Sequence, residues 1–187
     1  MKVHNYDTQK YSFKILLEDL LECKLEKIHE KYKISSEEIV GKVYEYFRTD
    51  NDFQSLWKSF CKDVIKNILE DTKIVVQQLP SVKIIPSKEK LTESDENNEW
   101  VQFGGKIVEQ DGIKFNCHTD GEAPFHHPSW ETNFWIPMIN VDDDNTMYVM
   151  DDKGQLKPCL LKHGQILEAD LNTIRHGVKT FNNSKNS

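Results

Sequence analysis

The sequence predicts an α+β protein, with N-terminal helices followed by an antiparallel sandwich or barrel of the jelly-roll, cupin-like kind. Three observations predict it. Apolar residues recur at three- and four-residue steps through the first third of the chain, which is helical periodicity. Short β-branched and aromatic runs then take over, at roughly ten-residue spacing with turn chemistry between them. Helices first and strands afterwards is the order of an α+β chain, where a parallel sheet would alternate them. The boundary falls between a helical region, residues 1–71, and a β region, residues 72–187.

Each element has its own signal. Phe13, Leu16, Leu17, Leu20, Leu21, Leu25 and Ile28, with Glu and Lys between them, predict an amphipathic helix from about Tyr11 to Tyr32. Ser35 and Glu38 form a capping box that opens a second helix running to about Phe47. Asp50, Asn51 or Asp52 can cap a third, whose stripe is Phe53, Leu56, Trp57, Phe60, Val64 and Ile68. These stripes are packing faces, and His29 and Cys61 within them carry no chemistry. After Asp71, Lys73 to Leu79 and Val82 to Ile85 read as strands punctuated by Pro80 and Pro86. The polar stretch Ser87 to Asn98 reads as a solvated loop or insertion. Strands are then predicted at Trp100 to Val108 and Ile113 to His118, joined by a tight Asp111-Gly112 turn. Further strands follow at Phe134 to Ile139, Thr146 to Met150, Leu156 to Leu161, Gln165 to Leu171 and Ile174 to Phe181.

The 187 residues, 37% hydrophobic and 10% aromatic, can bury one sizeable core. A net charge of -7 argues against a nucleic-acid partner, because phosphate contacts need clustered cations. The four cysteines, Cys23, Cys61, Cys117 and Cys159, are widely spaced and read as reduced thiols. No run of apolar residues is long enough to span a bilayer, and Met1 to Asp7 lacks the apolar core of an export signal. A soluble cytoplasmic protein with no membrane partner is expected.

The chemistry concentrates between Cys117 and Pro137. His118 and Asp120 form an H-x-D pair at a strand end, followed by a Pro-rich loop and an aromatic strand. Residues two apart in an extended chain share a face, with Cβ atoms roughly 7 Å apart, close enough to grip one ion. An imidazole and a carboxylate so placed are two thirds of the facial triad that holds non-haem Fe(II) and leaves three positions open. A second, distant histidine is required, and His176, followed by Gly177, is the candidate. The competing reading of His118 and Asp120 is a structural hydrogen-bonded pair. His126 and His127, in the loop beside Pro124 and Pro128, are either surface residues or line a substrate entrance. Asn133 and Trp135 share a strand face with Glu131 and can line the pocket, although core packing suits Trp135 equally. His163 reads as a turn residue and Cys117 as a core thiol facing away from His118.

Four segments together carry a family resemblance: Gln77 to Ile84, His118-Thr119-Asp120, Glu131 to Pro137, and Arg175-His176-Gly177. They resemble the StrG-like group, named from streptomycin biosynthesis, within the Fe(II)/2-oxoglutarate-dependent oxygenase superfamily, and more distantly the phytanoyl-CoA dioxygenases. The similarity spans about residues 73 to 181. It implies a double-stranded β-helix, ferrous iron held by His118, Asp120 and His176, and 2-oxoglutarate and O2 as cosubstrates. Gln77, His126, His127, Asn133 and Trp135 would then stand near the cosubstrate or substrate. The implied activity is oxidation, by hydroxylation, of a small polar metabolite. The carboxylate at Asp120 argues against halogenation, which needs that coordination position vacated for chloride.

One departure stands out. Members of the superfamily usually anchor the far carboxylate of 2-oxoglutarate with an Arg or Lys on the strand after the distal histidine. Here the sequence ends at Ser187, about where that strand should begin. Arg175 and Lys179 are the substitutes within reach, but both are odd-numbered and face away from His176 on a regular strand. A truncated or unfinished barrel is therefore expected. Two alternatives from other classes stand beside the oxygenase: a non-catalytic jelly-roll binding module, and a Zn-dependent or metal-free cupin-like enzyme.

Overall fold

The computed structural model describes residues 1–28, 36–71, 73–84, 105–123 and 125–179. The helices are α1 (Phe13–Leu21), α2 (Ser36–Thr49) and α3 (Asn51–Phe60), which continues through a π-turn (Cys61–Ile65) into a last turn, α4 (Lys66–Ile68). The strands are β1 (Lys2–Asn5), β2 (Lys106–Gln110), β3 (Ile113–His118), β4 (Asn133–Trp135), β5 (Tyr148–Met150), β6 (Leu156–Pro158), β7 (Gln165–Ala169) and β8 (His176–Lys179). They form two antiparallel sheets, β1-β7-β4 and β2-β3-β8-β5-β6, the second curled into a half-barrel.

Side-chain alternation sets the layers. On β7, Ile166 points to the helices and is fully buried among Phe13, Phe53 and Phe60, while Leu167 and Ala169 point the other way. There they meet Met147, Val149, Leu161 and Leu171, which fill the space between the sheets. Phe134 and Ile136 follow Ile166 toward the helices, whereas Trp135 packs with the inter-sheet cluster. A third cluster, Phe115, Cys117, Tyr148 and Leu156, covers the back of the five-stranded sheet. On β3, therefore, Phe115 and Cys117 face the back, and His118 faces the interior.

The β region is arranged much as its turn chemistry predicts. Asp111 and Gly112 both take positive φ, 53° and 75°, the conformation a tight two-residue hairpin between β2 and β3 requires. Asp50 caps α3, its carboxylate accepting from the Phe53 N–H at 2.6 Å.

Several predicted elements differ, and the strands predicted at Phe134 to Ile139 and Leu156 to Leu161 are regular only over Asn133–Trp135 and Leu156–Pro158. The first helix ends at Leu21, ahead of Tyr32, because Glu22 turns left-handed (φ 48°) and the Glu22 and Cys23 N–H groups close onto the Asp19 and Glu18 carbonyls. A short 3-10 turn, Leu25–Lys27, follows. Lys73 to Leu79 and Val82 to Ile84 carry no regular strand pairing; Ile74, Leu79, Val82 and Ile84 instead pack on the helical cluster. Conversely, β1 lies ahead of the first predicted helix, within the N-terminal helical region, and pairs with β7, Val3 opposite Leu167. The predicted capping residue Ser35, His29, the polar stretch Ser87 to Asn98, Trp100, Pro124 and the strand end at Phe181 lie outside the described residues. Among the described residues, no helix is long and apolar enough to cross a membrane.

Candidate metal centre

The centre is assembled by one strand pair and one loop. β3 and β8 run antiparallel with His118 directly opposite His176, and Cys117 opposite Gly177. A facing pair in such a ladder brings both side chains to the same side. The two imidazole rings lie 4.5 Å apart between centroids on the interior face. Gly177 makes this closeness attainable, since a Cβ there would stand 2.0 Å from the Asn116 carbonyl oxygen and 2.9 Å from the Cys117 Cα.

Asp120 sits just past the end of β3, fixed by its own backbone. Its N–H donates to the Leu171 carbonyl (2.9 Å) and its carbonyl accepts from the His127 N–H (2.9 Å). Its Oδ1 lies 3.5 Å from Nε2 of His118 and 3.5 Å from Nε2 of His176. One donor atom from each of the three residues falls within 4.8 Å of the others. Bond lengths near 2 Å place ligand atoms roughly 3 to 4 Å apart around one ion, so the three donors can share it.

The surroundings prepare these donors. Nδ1 of His176 faces the Ile174 carbonyl at 3.1 Å, so that nitrogen donates and Nε2 carries the lone pair turned to Asp120. Burial lowers the His176 pKa to about 4, and neighbouring His118 acts in the same direction, so the ring is neutral and competent to ligate. Burial works to raise the Asp120 pKa, but a hydrogen bond from His118 and the electrostatic influence of the surrounding imidazoles carry it below the ordinary value. Nδ2 of Asn133 donates to Oδ2 of Asp120 at 3.1 Å, and Oδ1 of Asn133 accepts from the Leu171 N–H at 3.0 Å. One asparagine thereby occupies the carboxylate oxygen that does not face the histidines.

No known protein family, curated protein or solved structure gives a significant match to this chain. What can be said of the site is chemical: a His-Asp-His triad that could bind a metal ion.

The remaining predicted residues divide. His127 is held beside the centre, its Nδ1 3.1 Å from Oε1 of Glu131. His126 is exposed, on a left-handed backbone (φ 49°). Trp135 packs with the inter-sheet cluster. Gln77 is exposed, and its carbonyl accepts from Nε1 of Trp57 at 3.2 Å. Lys179 is paired with Asp143 and Asp144 and lies over the Tyr148 ring on the back of the sheet, while Arg175 stands 3.9 Å from Glu122. Lys179 turns as the strand parity predicts. Cys117 is a buried thiol whose pKa burial pushes up to about 11.

Sequence reasoning passed over Phe125. Its ring lies 4.8 Å from that of His118 and walls one side of the centre. The available signal was a large apolar residue inside an otherwise polar loop of Gly, Pro and His.

Proposed function

We propose that the chain is a non-haem Fe(II)/2-oxoglutarate-dependent oxygenase, acting on a small polar metabolite within a jelly-roll of the double-stranded β-helix type, as its resemblance to the StrG-like group implies. The observation that carries this reading is the meeting of two imidazoles and one carboxylate on the interior face of a curled antiparallel sheet. That donor set suits a ferrous ion bound on one side only, with coordination positions left for other ligands. A bound ferrous ion would supply the oxidising chemistry, using 2-oxoglutarate and O2.

The residues of the chain perform the rest. Gly177 and the β3–β8 ladder fix the separation of the imidazoles. Ile174 selects the tautomer of His176 by accepting its Nδ1 proton. Asn133 holds the Asp120 carboxylate in one rotation, and Phe125 shields the His118 ring from water.

Incubation of the protein with ferrous iron, 2-oxoglutarate and O2 should release succinate, measured by mass spectrometry. His118→Ala and His176→Ala should abolish the release. Zinc binding without any succinate in the presence of iron would instead indicate a cupin-like zinc site, and absence of any metal binding a non-catalytic module.

A further inference from the structure

Glu131 stands where two arms of the metal centre meet. Its backbone is clamped on both sides, the N–H donating to the Pro128 carbonyl at 2.9 Å and the carbonyl accepting from Nδ2 of Asn172 at 3.1 Å. The same amide nitrogen of the buried Asn172 also donates to the Pro128 carbonyl at 3.0 Å, so both ends of the turn are pinned. With the backbone held, the Glu131 side chain is only 26% exposed, and one oxygen, Oε1, receives two donors. Nδ1 of His127 lies 3.1 Å from it and Nδ2 of Asn133 3.4 Å. A carboxylate only accepts, so Nδ1 of His127 carries a proton there.

The Asn133 amide is left with no free choice of orientation. Its Oδ1 takes the Leu171 N–H, and its two Nδ2 hydrogens divide between Asp120 and Glu131. Turned over, the amide would present its oxygen to two carboxylates and its nitrogen to an N–H. His127 closes the circuit. Its backbone N–H donates to the Asp120 carbonyl at 2.9 Å, and its ring stands edge-on to Phe125, 6.4 Å between centroids. Asp120, Asn133, Glu131 and His127 therefore form a closed hydrogen-bonded ring along one flank of the metal ligands.

We propose that Glu131 is a positioning residue for the metal centre: through Asn133 it fixes the rotation of the Asp120 carboxylate, and through Nδ1 it fixes the tautomer of His127. The proposal rests on the reading of His118, Asp120 and His176 as a metal centre. Glu131 acts by orientation and not by its charge, so a neutral side chain of the same shape that keeps one acceptor oxygen can replace it.

The test is Co(II) titration of the full chain, followed by visible absorption. Glu131→Ala should weaken binding by about tenfold, the lower end of the effect of removing an orienting partner, and change the shape of the absorption band with circular dichroism unchanged. Glu131→Gln, which keeps the acceptor, should stay within about threefold of the native protein. In an Asn133→Ala background, Glu131→Ala should add less than about twofold, because the arm it works through is already gone. Equal losses in the Ala and Gln variants, or additive losses in the double variant, would overturn the proposal. The native protein supplies a check that needs no variant: magnetic resonance of the ring nitrogens in mildly alkaline solution should find His127 protonated at Nδ1, and a proton on Nε2 instead would equally overturn it. Failure of the native protein to bind Co(II) would remove the metal centre and the proposal with it, and is read separately from the His127 tautomer.

Discussion

Asn133 serves two masters with one amide: its Nδ2 holds Asp120, and its Oδ1 takes the Leu171 N–H. Groups that orient a metal ligand in this way typically change metal affinity by about 10- to 100-fold when removed. Asn133→Ala should therefore weaken Co(II) binding by about that factor, read from the visible absorption of the bound ion, with the secondary structure intact. His176 carries a second prediction. Its pKa is about 4 in the folded chain against an ordinary value of 6.5, so the unfolded chain takes up more protons between those values. Stability of the metal-free protein should be complete above about pH 6.5 and fall as the pH drops toward 4, by on the order of 3 kcal/mol from this group. Asp120, lowered in the folded chain, adds a loss of the same sign at lower pH. Urea midpoints measured across this range in chelator should show the slope, and His176→Gln, which cannot titrate, should flatten it. At this scale the triad was legible, because H-x-D on a strand fixes two donors and the chemistry demands a third.

The elements explain why the donors converge. β3 and β8 approach without a side chain at Gly177, against the backbone of Asn116 and Cys117. Gly177→Ala should push the strands apart and separate His118 from His176, because the obstructing atoms are backbone and cannot rotate away. The expected result is loss of Co(II) binding together with a lowered midpoint in thermal unfolding; a variant that binds the ion like the native protein would refute the close-approach account. Turn-bounded strands were readable because Asp111-Gly112 and Asp151 to Gly154 announce reversals locally. The β-branched residues of Lys73 to Ile84 misled: Ile74, Val82 and Ile84 serve packing on the helices and not ladder pairing, and Val75 and Val76 are exposed. β1 left no sign at all: four residues cannot reveal a partner strand more than 150 positions away. The end of α1 was hidden for a different reason, namely that Glu22 is a good helix former placed in a left-handed conformation usually given to glycine.

Across the whole molecule, the helical cluster and the β region share residues. Ile166 of β7 is fully buried among Phe13, Phe53 and Phe60, and β1 ties the start of the chain to the same strand. Ile166→Ala should cost about 2–5 kcal/mol. The loss should appear as one urea transition, with tryptophan fluorescence and far-ultraviolet circular dichroism moving together; two separated transitions would show that the helices and the sheets fold independently. The facing positions of His118 and His176 have a further consequence. A slip of one residue between β3 and β8 would send one imidazole to the opposite side of the sheet, so only the native pairing is rewarded by coordination. A bound ion would thus act as a proofreader of strand alignment, and the population of correctly assembled chain should rise and fall with the free concentration of the metal.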